Sequence, residues 1–234
     1  MPSASGSTEL VIIGAGGFGA VAASVADDIN AAAIERDRAA PWELIGYADL
    51  DPTKRGTLRA GRTVRGSIED VGRDFRNSDL WFLCAIGDNR ARAKMVQLAE
   101  EFGWKAATLV HPTAIVNSTV KVGPGSFIGP LSVISVNAKI GAHVVVDMHV
   151  SIGHDAVVKD YCAVFPGARI TGYCCLEEYA LVGSNAALLP GTRVGERAVV
   201  GASSLAHGSV EADTTVLGVP ARVIHRRRSS LSRR

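Results

Sequence analysis

The second half of the chain repeats every six residues. From His111 to Val200 the sequence divides without a gap into fifteen hexads, and the sixth residue of each is Val, Ile or Leu. The fourth residue is always Ala, Val, Ser, Cys or Thr. A period of six fits neither an α-helix nor an alternating strand. It is typical of a solenoid in which each hexad forms one flat face, with the aliphatic side chain inward and the small one at the corner.

Three such faces close one triangular coil, so the repeat predicts about five coils. Hexapeptide repeats of this kind resemble the left-handed parallel β-helix, and the handedness is implied by that resemblance. Cys162 and Cys174 occupy the small inward position, which favours packing over reactivity. Cys84 and Cys175 have no histidine in a suitable arrangement, so we expect them to be structural too.

The first half shows alternating strand and helix signals. An apolar strand over 9–13 is followed by the glycine-rich turn 14–19 and an alanine-rich helix to about residue 30. Further strands are expected over 43–48, 80–85 and 106–110, with a helix over 90–102. This order predicts a short parallel sheet in a Rossmann-like α/β domain.

The glycine-rich turn has three interpretations. Its sequence, GAGGFG, matches the dinucleotide pattern, although the domain is too short for two mononucleotide halves. The glycines could serve the tight turn alone. They could also receive a substrate that carries a nucleotide, because a helix N-terminus after such a turn attracts phosphate.

Composition and charge exclude several classes of protein. The chain has 47% hydrophobic and 21% charged residues, as in globular proteins. The formal net charge is +2, but six arginines fall in residues 222–234, and the remainder is mildly acidic. It therefore has no electrostatic footprint for nucleic acid. No apolar run approaches the ~20 residues of a membrane span, and no signal peptide is evident. The four cysteines form no CxxC pair, so we expect a reduced, cytoplasmic protein.

Five segments carry a resemblance to a known family. They are VIIGAGGFG (11–19), AIGDN (85–89), LVHPTAIV (109–116), GHD (153–155) and GVPARVI (218–224). With them the chain, from about Leu10 to Ile224, resembles the sialic acid O-acetyltransferase/bacillosamine N-acetyltransferase family of sugar acyltransferases. The resemblance implies an acetyl-CoA-dependent enzyme without a metal. It also implies a homotrimer with sites between subunits, and as acceptor the amine of a nucleotide-linked amino sugar, such as a 4-amino-4,6-dideoxy sugar.

Motif matching also implies the site residues. The general base is carried onto His154 and its acidic partner onto Asp155, since an imidazole with an unperturbed pKa of about 6.5 can accept a proton near neutral pH. The predicted contacts to the nucleotide sugar are Gly16, Gly17, Phe18, Asp49 and Gly87, and those to acetyl-CoA are Gly172, Ser184 and Ala202.

The chain departs from the family pattern at four positions. Asp155 stands where Glu is common, Asp147 where Asn is common, and Ala163 and Phe18 stand where some relatives carry His. These departures leave acetyl transfer in place and bear on the identity of the acceptor.

Other functions stay open at this point. Sugar O-acetylation on the same fold is one. A zinc hydratase resembling γ-class carbonic anhydrases is another, because His149 and His154 have a suitable spacing for two metal ligands. A non-catalytic scaffold or sugar-nucleotide sensor is a third. The predicted organisation is a disordered segment 1–9, a nucleotide-sugar-binding domain 10–108, a β-helix 109–224 and a basic disordered tail 225–234.

Overall fold

A computed structural model describes residues 7–75 and 79–226. The chain divides into two compact units. Of the described residues, the first unit comprises 7–75, 79–112 and 124–127, and the second comprises 113–123 and 128–226. Strands extend to Thr8 at one end and Arg226 at the other, which is slightly into the segments predicted as disordered; the rest of those segments lies outside the described residues apart from Ser7.

The first unit contains a six-stranded sheet with helices. Its elements in chain order are β1 (Thr8–Ile13), α1 (Gly17–Ile34), β2 (Trp42–Ala48), a 3-10 turn (Pro52–Lys54), β3 (Leu58–Arg59), β4 (Arg62–Gly66), α2 (Ile68–Asp74), β5 (Trp81–Cys84), α3 (Asn89–Glu101) and β6 (Lys105–Ala106). The strand order is β3-β4-β2-β1-β5-β6, and all neighbours are parallel except β3 and β4. The apolar strand predicted over 9–13 is the buried β1 at the centre of this sheet.

Two features of this unit differ from the sequence-based expectation. The β3–β4 hairpin and α2 were not predicted, because their residues are charged and their apolar pattern is short. The single strand expected over 106–110 is wrong. It is interrupted after β6, and the next strand, β7 (Leu109–Val110), joins a different sheet.

The second half of the chain forms short strands at regular intervals. They are β8 (Ile115–Val116), β9 (Lys121–Val122), β10 (Phe127–Ile128), β11 (Val133–Ile134), β12 (Lys139–Ile140), β13 (Val145–Val146), β14 (Ser151–Ile152), β15 (Val157–Val158), β16 (Ala163–Val164), β17 (Arg169–Ile170), β18 (Cys175–Leu176), β19 (Leu181–Val182), β20 (Ala187–Leu188), β21 (Arg193–Val194), β22 (Val199–Val200), β23 (Leu205–Ala206), β24 (Ser209–Val210), β25 (Thr214–Gly218) and β26 (Ala221–Arg226).

These strands build three parallel sheets. Their orders are β26-β25-β22-β19-β16-β13-β10-β7, β23-β20-β17-β14-β11-β8 and β24-β21-β18-β15-β12-β9. Up to β23, strand neighbours pair eighteen residues apart, as Val133 does with Ser151, so three hexads make one coil. The last coil is shorter, because Arg193 pairs with Ser209 and Val199 pairs with Thr215. The last strand, β26, runs antiparallel to β25. The predicted fold class, an α/β domain followed by a left-handed parallel β-helix, is confirmed.

The hexad pattern determines what is buried. The sixth residue is buried in every hexad from Ile128 to Val200, and so is the fourth from Ser126 to Ala198, including Cys162 and Cys174. The fifth residue of each hexad points outward, and its exposure differs from hexad to hexad. The interior of the prism is therefore a column of aliphatic and small side chains, each contacting its equivalent one coil away.

The corners hold many non-glycine residues in the left-handed backbone region. Asn137, Asp155 and Tyr173 have φ of 58°, 56° and 60°. Such residues cost about 1 kcal/mol each. The corner offsets this cost because the amide of Asp155 donates to Val136 O at 3.1 Å, and that of Tyr173 to His154 O at 3.0 Å. Corners of successive coils are thus stacked directly on one another.

Among residues 7–75 and 79–226, the helices are all too short or too polar to traverse a lipid bilayer.

Candidate active site

The structure brings His154 and Asp155 together at a corner of the β-helix, after β14. His154 Nδ1 lies 2.9 Å from Asp155 Oδ2, and both side chains are partly exposed. The hydrogen bonds from His154, chiefly, and from Asn137 lower the pKa of the Asp155 carboxyl below its usual range. An ionised carboxylate at Nδ1 favours the tautomer with the proton on that nitrogen, which leaves Nε2 free to accept one. Aspartate is therefore long enough for this contact.

Gly172 lies one coil further along and directly against the histidine ring. A Cβ at this position would stand 2.6 Å from His154 Nε2 and 2.7 Å from its Cε1. Any other residue would therefore displace the ring. Gly172 is buried, while His154 is half-exposed, so one edge of the imidazole faces solvent and the other faces the backbone at Gly172.

Two further residues lie at this corner that the sequence did not predict. Asn137 Nδ2 donates to Asp155 Oδ1 at 3.2 Å, and the Tyr173 ring packs edge-on to His154 with the centroids 4.9 Å apart. No motif marks them. Their signal is the coil period, because Asn137 lies eighteen residues before Asp155 and Tyr173 eighteen residues after it.

Ser184 and Ala202, the other predicted acetyl-CoA contacts, lie at a different corner. They stand one coil apart, shortly before strands β20 and β23 respectively, and Ser184 O accepts a hydrogen bond from Ser203 N at 2.8 Å. Gly172 instead follows β17. The face formed by the sheet that contains β14, β17 and β20 separates the two corners, so these three predicted contacts do not form one cluster.

The other departures from the family pattern also have defined environments. Asp147 is half-buried after β13. Burial raises the pKa of its carboxyl, although the hydrogen bond from Met148 N, at 2.7 Å, opposes this effect. Ala163 is buried in β16 and has no group that could titrate.

The first unit has a cavity of about 240 Å³ at the carboxyl ends of β1, β2 and β5. Its lining includes Gly14, Gly16, Asp49, Lys54, Ile86 and Met95. Open parallel α/β sheets bind ligands at this edge. Of the predicted nucleotide-sugar contacts, Gly16 and Asp49 line the cavity, and Lys54 and Met95 were missed because no motif marks them.

Asp49 joins the glycine-rich turn to the loop after β2. Its Oδ2 accepts from Ala15 N at 2.7 Å and Lys54 Nζ at 3.0 Å, and its Oδ1 accepts from Asp51 N at 2.9 Å. Burial alone would raise the pKa of this carboxyl, but the hydrogen bonds outweigh it and lower the pKa. Asp49 is therefore held ionised at the rim of the cavity.

The glycines of the turn divide into two kinds. A Cβ on Gly19 would lie 1.9 Å from Gly14 O, so the fold requires glycine there. Gly16, Gly17 and Gly87 are exposed, and a Cβ on any of them would meet nothing within 4 Å.

Phe18, the remaining predicted contact, is half-buried and packs edge-on against Phe127, with ring centroids 5.2 Å apart. It is not among the residues that line the cavity.

The lowered pKa of Asp49 predicts a pH-dependent contribution to stability. A carboxyl whose pKa is lower in the folded state stabilises above its unfolded pKa, about 3.9, and loses this effect as pH falls through the folded value. Asp49→Asn should therefore destabilise the chain by about 1–2 kcal/mol at pH 7, and the deficit should shrink below about pH 4. Urea unfolding at both pH values measures it. Asp74→Asn, at an exposed aspartate at the end of α2, is the control and should show no such pH-dependent deficit.

The zinc interpretation finds no ligand set in the part of the chain that the structure describes. His149 lies at the corner before β14 and His154 at the corner after it. Within 7–75 and 79–226, no three His, Cys, Asp or Glu side chains converge as metal ligands.

Comparisons with known proteins agree with this architecture. Residues 9–99 match the family model described as the PglD N-terminal domain. The acetyltransferase domain of PglB from Neisseria gonorrhoeae FA1090, solved in complex with acetyl coenzyme A, superposes with a TM-score of 0.80 and 26% identity over 94% of this chain and 100% of that chain. A variant of perosamine N-acetyltransferase from Caulobacter crescentus, in complex with CoA and GDP-perosamine, gives a TM-score of 0.81 and 25% identity over 93% and 97%.

Curated relatives match only a short segment. The 2,3,4,5-tetrahydropyridine-2,6-dicarboxylate N-acetyltransferase of Staphylococcus aureus (strain bovine RF122 / ET3-1) is 45% identical over 49 residues, which are 21% of this chain and 20% of the relative. WbbJ of Escherichia coli (strain K12), which bears the name of a lipopolysaccharide biosynthesis O-acetyl transferase, is 46% identical over 43 residues, 18% of this chain. The matches thus span about a fifth of the length of these relatives.

A small α/β unit followed by a hexapeptide β-helix with a histidine–carboxylate pair at one corner defines the class of hexapeptide acyltransferases. Within that class, the chain is similar to sugar acetyltransferases: residues 9–99 match the PglD N-terminal domain, and two sugar acetyltransferases of known structure superpose on more than nine-tenths of the chain.

Proposed function

We propose that the chain transfers an acetyl group from acetyl-CoA to the amine of a nucleotide-linked amino sugar, with His154 as general base. The observation that carries this proposal is the His154–Asp155 pair, whose carboxylate holds Nδ1 while Nε2 lies against Gly172. Support for the two substrates comes from the structural relatives, of which one contains acetyl coenzyme A and another contains CoA with GDP-perosamine.

In this proposal His154 moves one proton. The amine nitrogen forms a bond to the thioester carbonyl carbon while Nε2 takes a proton from that nitrogen. The carbon–sulfur bond then breaks, and the same nitrogen returns the proton to the departing thiolate. Asp155 stabilises the imidazolium that exists between these steps.

Gly172 and the residues near Ser184 and Ala202 would hold acetyl-CoA. The missing side chain at Gly172 lets the thioester approach both the backbone and Nε2, where an amide can stabilise the developing oxyanion. Ser184 and Ala202 would then contact a more distant part of the same molecule, in keeping with their place at the next corner.

The cavity of the first unit would hold the nucleotide. Gly16, Gly17 and Gly87 leave the backbone open, and the start of α1 at Gly17 favours a diphosphate. Asp49 and Lys54 would orient the ribose or the diphosphate. Phe18 would contact the sugar only if its packing on Phe127 changed.

We further propose a homotrimer with active sites between subunits. One face of the β-helix and the corners beside it expose large apolar side chains, and such a patch favours burial against another subunit. They are Ile115, Leu131, Val133, Val136, Tyr173 and Leu189. Since both substrates of this proposal are intracellular metabolites, the protein would act in the cytoplasm.

The test is release of CoA thiol from acetyl-CoA against a panel of UDP-, GDP- and dTDP-linked amino sugars. Turnover with one amino sugar, together with a mass gain of one acetyl group, would establish N-acetylation. Turnover only with sugars that lack a free amine would replace it with O-acetylation, which the segment shared with WbbJ makes the second candidate. Absence of acetyl-CoA binding would overturn the acyltransferase proposal.

Gly172→Ala tests the arrangement at Nε2. The added methyl would push against the His154 ring, which can rotate at little cost to the fold. We therefore expect kcat to fall about 100-fold, with the melting temperature nearly unchanged. Gly191→Ala is the control, because Gly191 occupies a corner where a Cβ meets nothing within 4 Å. Its φ of 73° costs some stability in that variant, but kcat should persist.

A further inference from the structure

Asp155 has two carboxylate oxygens, and each is bound by a different residue. Oδ2 faces His154 Nδ1 at 2.9 Å, while Oδ1 accepts from Asn137 Nδ2 at 3.2 Å. A carboxylate fixed at both oxygens has a fixed plane, which in turn fixes the histidine ring.

Asn137 is itself held from the coil below. Its backbone N–H donates to Thr119 Oγ1 at 2.8 Å, and the Thr119 hydroxyl donates to Asn117 Oδ1 at 2.9 Å. Thr119, Asn137 and Asp155 are spaced by eighteen residues, so a continuous ladder of hydrogen bonds rises through three coils to His154.

We propose that Asn137 is a positioning residue that acts through Asp155 to hold the His154 imidazole in its reactive orientation. This proposal rests on the proposed function, because the orientation of His154 affects the reaction only if His154 is the general base. Asn137 contacts no reacting atom. Its amide donates a hydrogen bond to Asp155 and carries no charge. It therefore supports the ionised carboxylate without competing with His154 as a cation would.

Among the described residues, two titratable side chains are recorded in contact with His154, those of Asp155 and Tyr173. Asp155 faces Nδ1 of the ring, Tyr173 packs edge-on to it, and Asn137 and Gly172 are neutral neighbours.

The first test is Asn137→Asp, followed by NMR titration of the His154 imidazole without substrates. A second carboxylate beside Asp155 favours the protonated ring, so its titration midpoint should rise by about half a unit, and less at high salt. Both Asn and Asp tolerate the left-handed backbone of this position, φ 58°. Asn185→Asp is the matched control, since Asn185 has the same hexad position and a φ of 56° at a different corner. In Asn185→Asp the titration midpoint of His154 should stay unchanged.

The second test is Asn137→Gly, which removes the amide and keeps the backbone conformation accessible. We expect kcat to fall about tenfold with KM for both substrates unchanged. An unmoved midpoint in Asn137→Asp together with an unchanged kcat in Asn137→Gly would overturn the positioning role while leaving acetyl transfer intact. If no acceptor sugar is turned over by the unmodified protein, the NMR titration still decides whether position 137 is coupled to His154.

Discussion

Replacing His154 with alanine should lower kcat by about a thousand-fold while leaving acetyl-CoA binding intact. The reason is that Nε2 is the proposed proton acceptor and no other basic side chain at this corner, among the described residues, is placed to replace it. CoA-thiol release measures kcat, and calorimetric titration measures acetyl-CoA binding. The melting temperature should change little because the His154 side chain is half-exposed.

His149→Ala is the matched control for this experiment. His149 is an exposed histidine at the neighbouring corner, and its loss should leave kcat within about twofold. Equal losses in the two variants would contradict the general-base role of His154 and would instead support joint action of the two histidines, as the zinc interpretation requires. Full turnover in His154→Ala would exclude it as the base.

Gly19→Ala should destabilise the first unit by about 2–3 kcal/mol. The new Cβ would lie 1.9 Å from Gly14 O and 3.0 Å from Gly14 C, and both are backbone atoms that cannot rotate away. The start of α1 must therefore move away from the turn after β1, and the close packing between the two is lost. Differential scanning calorimetry should show the transition of this unit at a temperature lower by several degrees.

Gly17→Ala provides the comparison within the same turn. A Cβ on Gly17 meets no atom within 4 Å, and alanine favours a helix more than glycine does. Its stability should stay within about 0.5 kcal/mol of the parent protein, or rise slightly. If both variants unfolded alike, close packing would not explain the glycine at position 19. The pair also separates a glycine needed for packing from one that leaves the backbone open.

The repeat could be predicted from the sequence because its physical rule is local. An aliphatic side chain at every sixth position from Val116 to Val200 specifies a prism whose interior is one residue wide. The βα turn at residues 14–19 was equally predictable, since its glycines stand between an apolar strand and an alanine-rich helix. The short hairpin and α2 were missed because they pack through few apolar residues.

The candidate site was only half predictable. His154 and Asp155 are adjacent in the chain, so a motif can mark them. Asn137, Gly172 and Tyr173 come to them from other coils.

Sequence alone thus determined the class of fold, the coil period and the candidate base with its carboxylate. Only the tertiary structure decided which oxygen of Asp155 faces Nδ1, that Nε2 lies against Gly172, and that Ser184 and Ala202 belong to another corner. The physical reason is that inward packing recurs every hexad and is visible in one dimension. Hydrogen bonds between coils join residues eighteen positions apart. Whether such a pair forms a bond depends on the orientation of the two side chains, and only the tertiary structure shows that orientation.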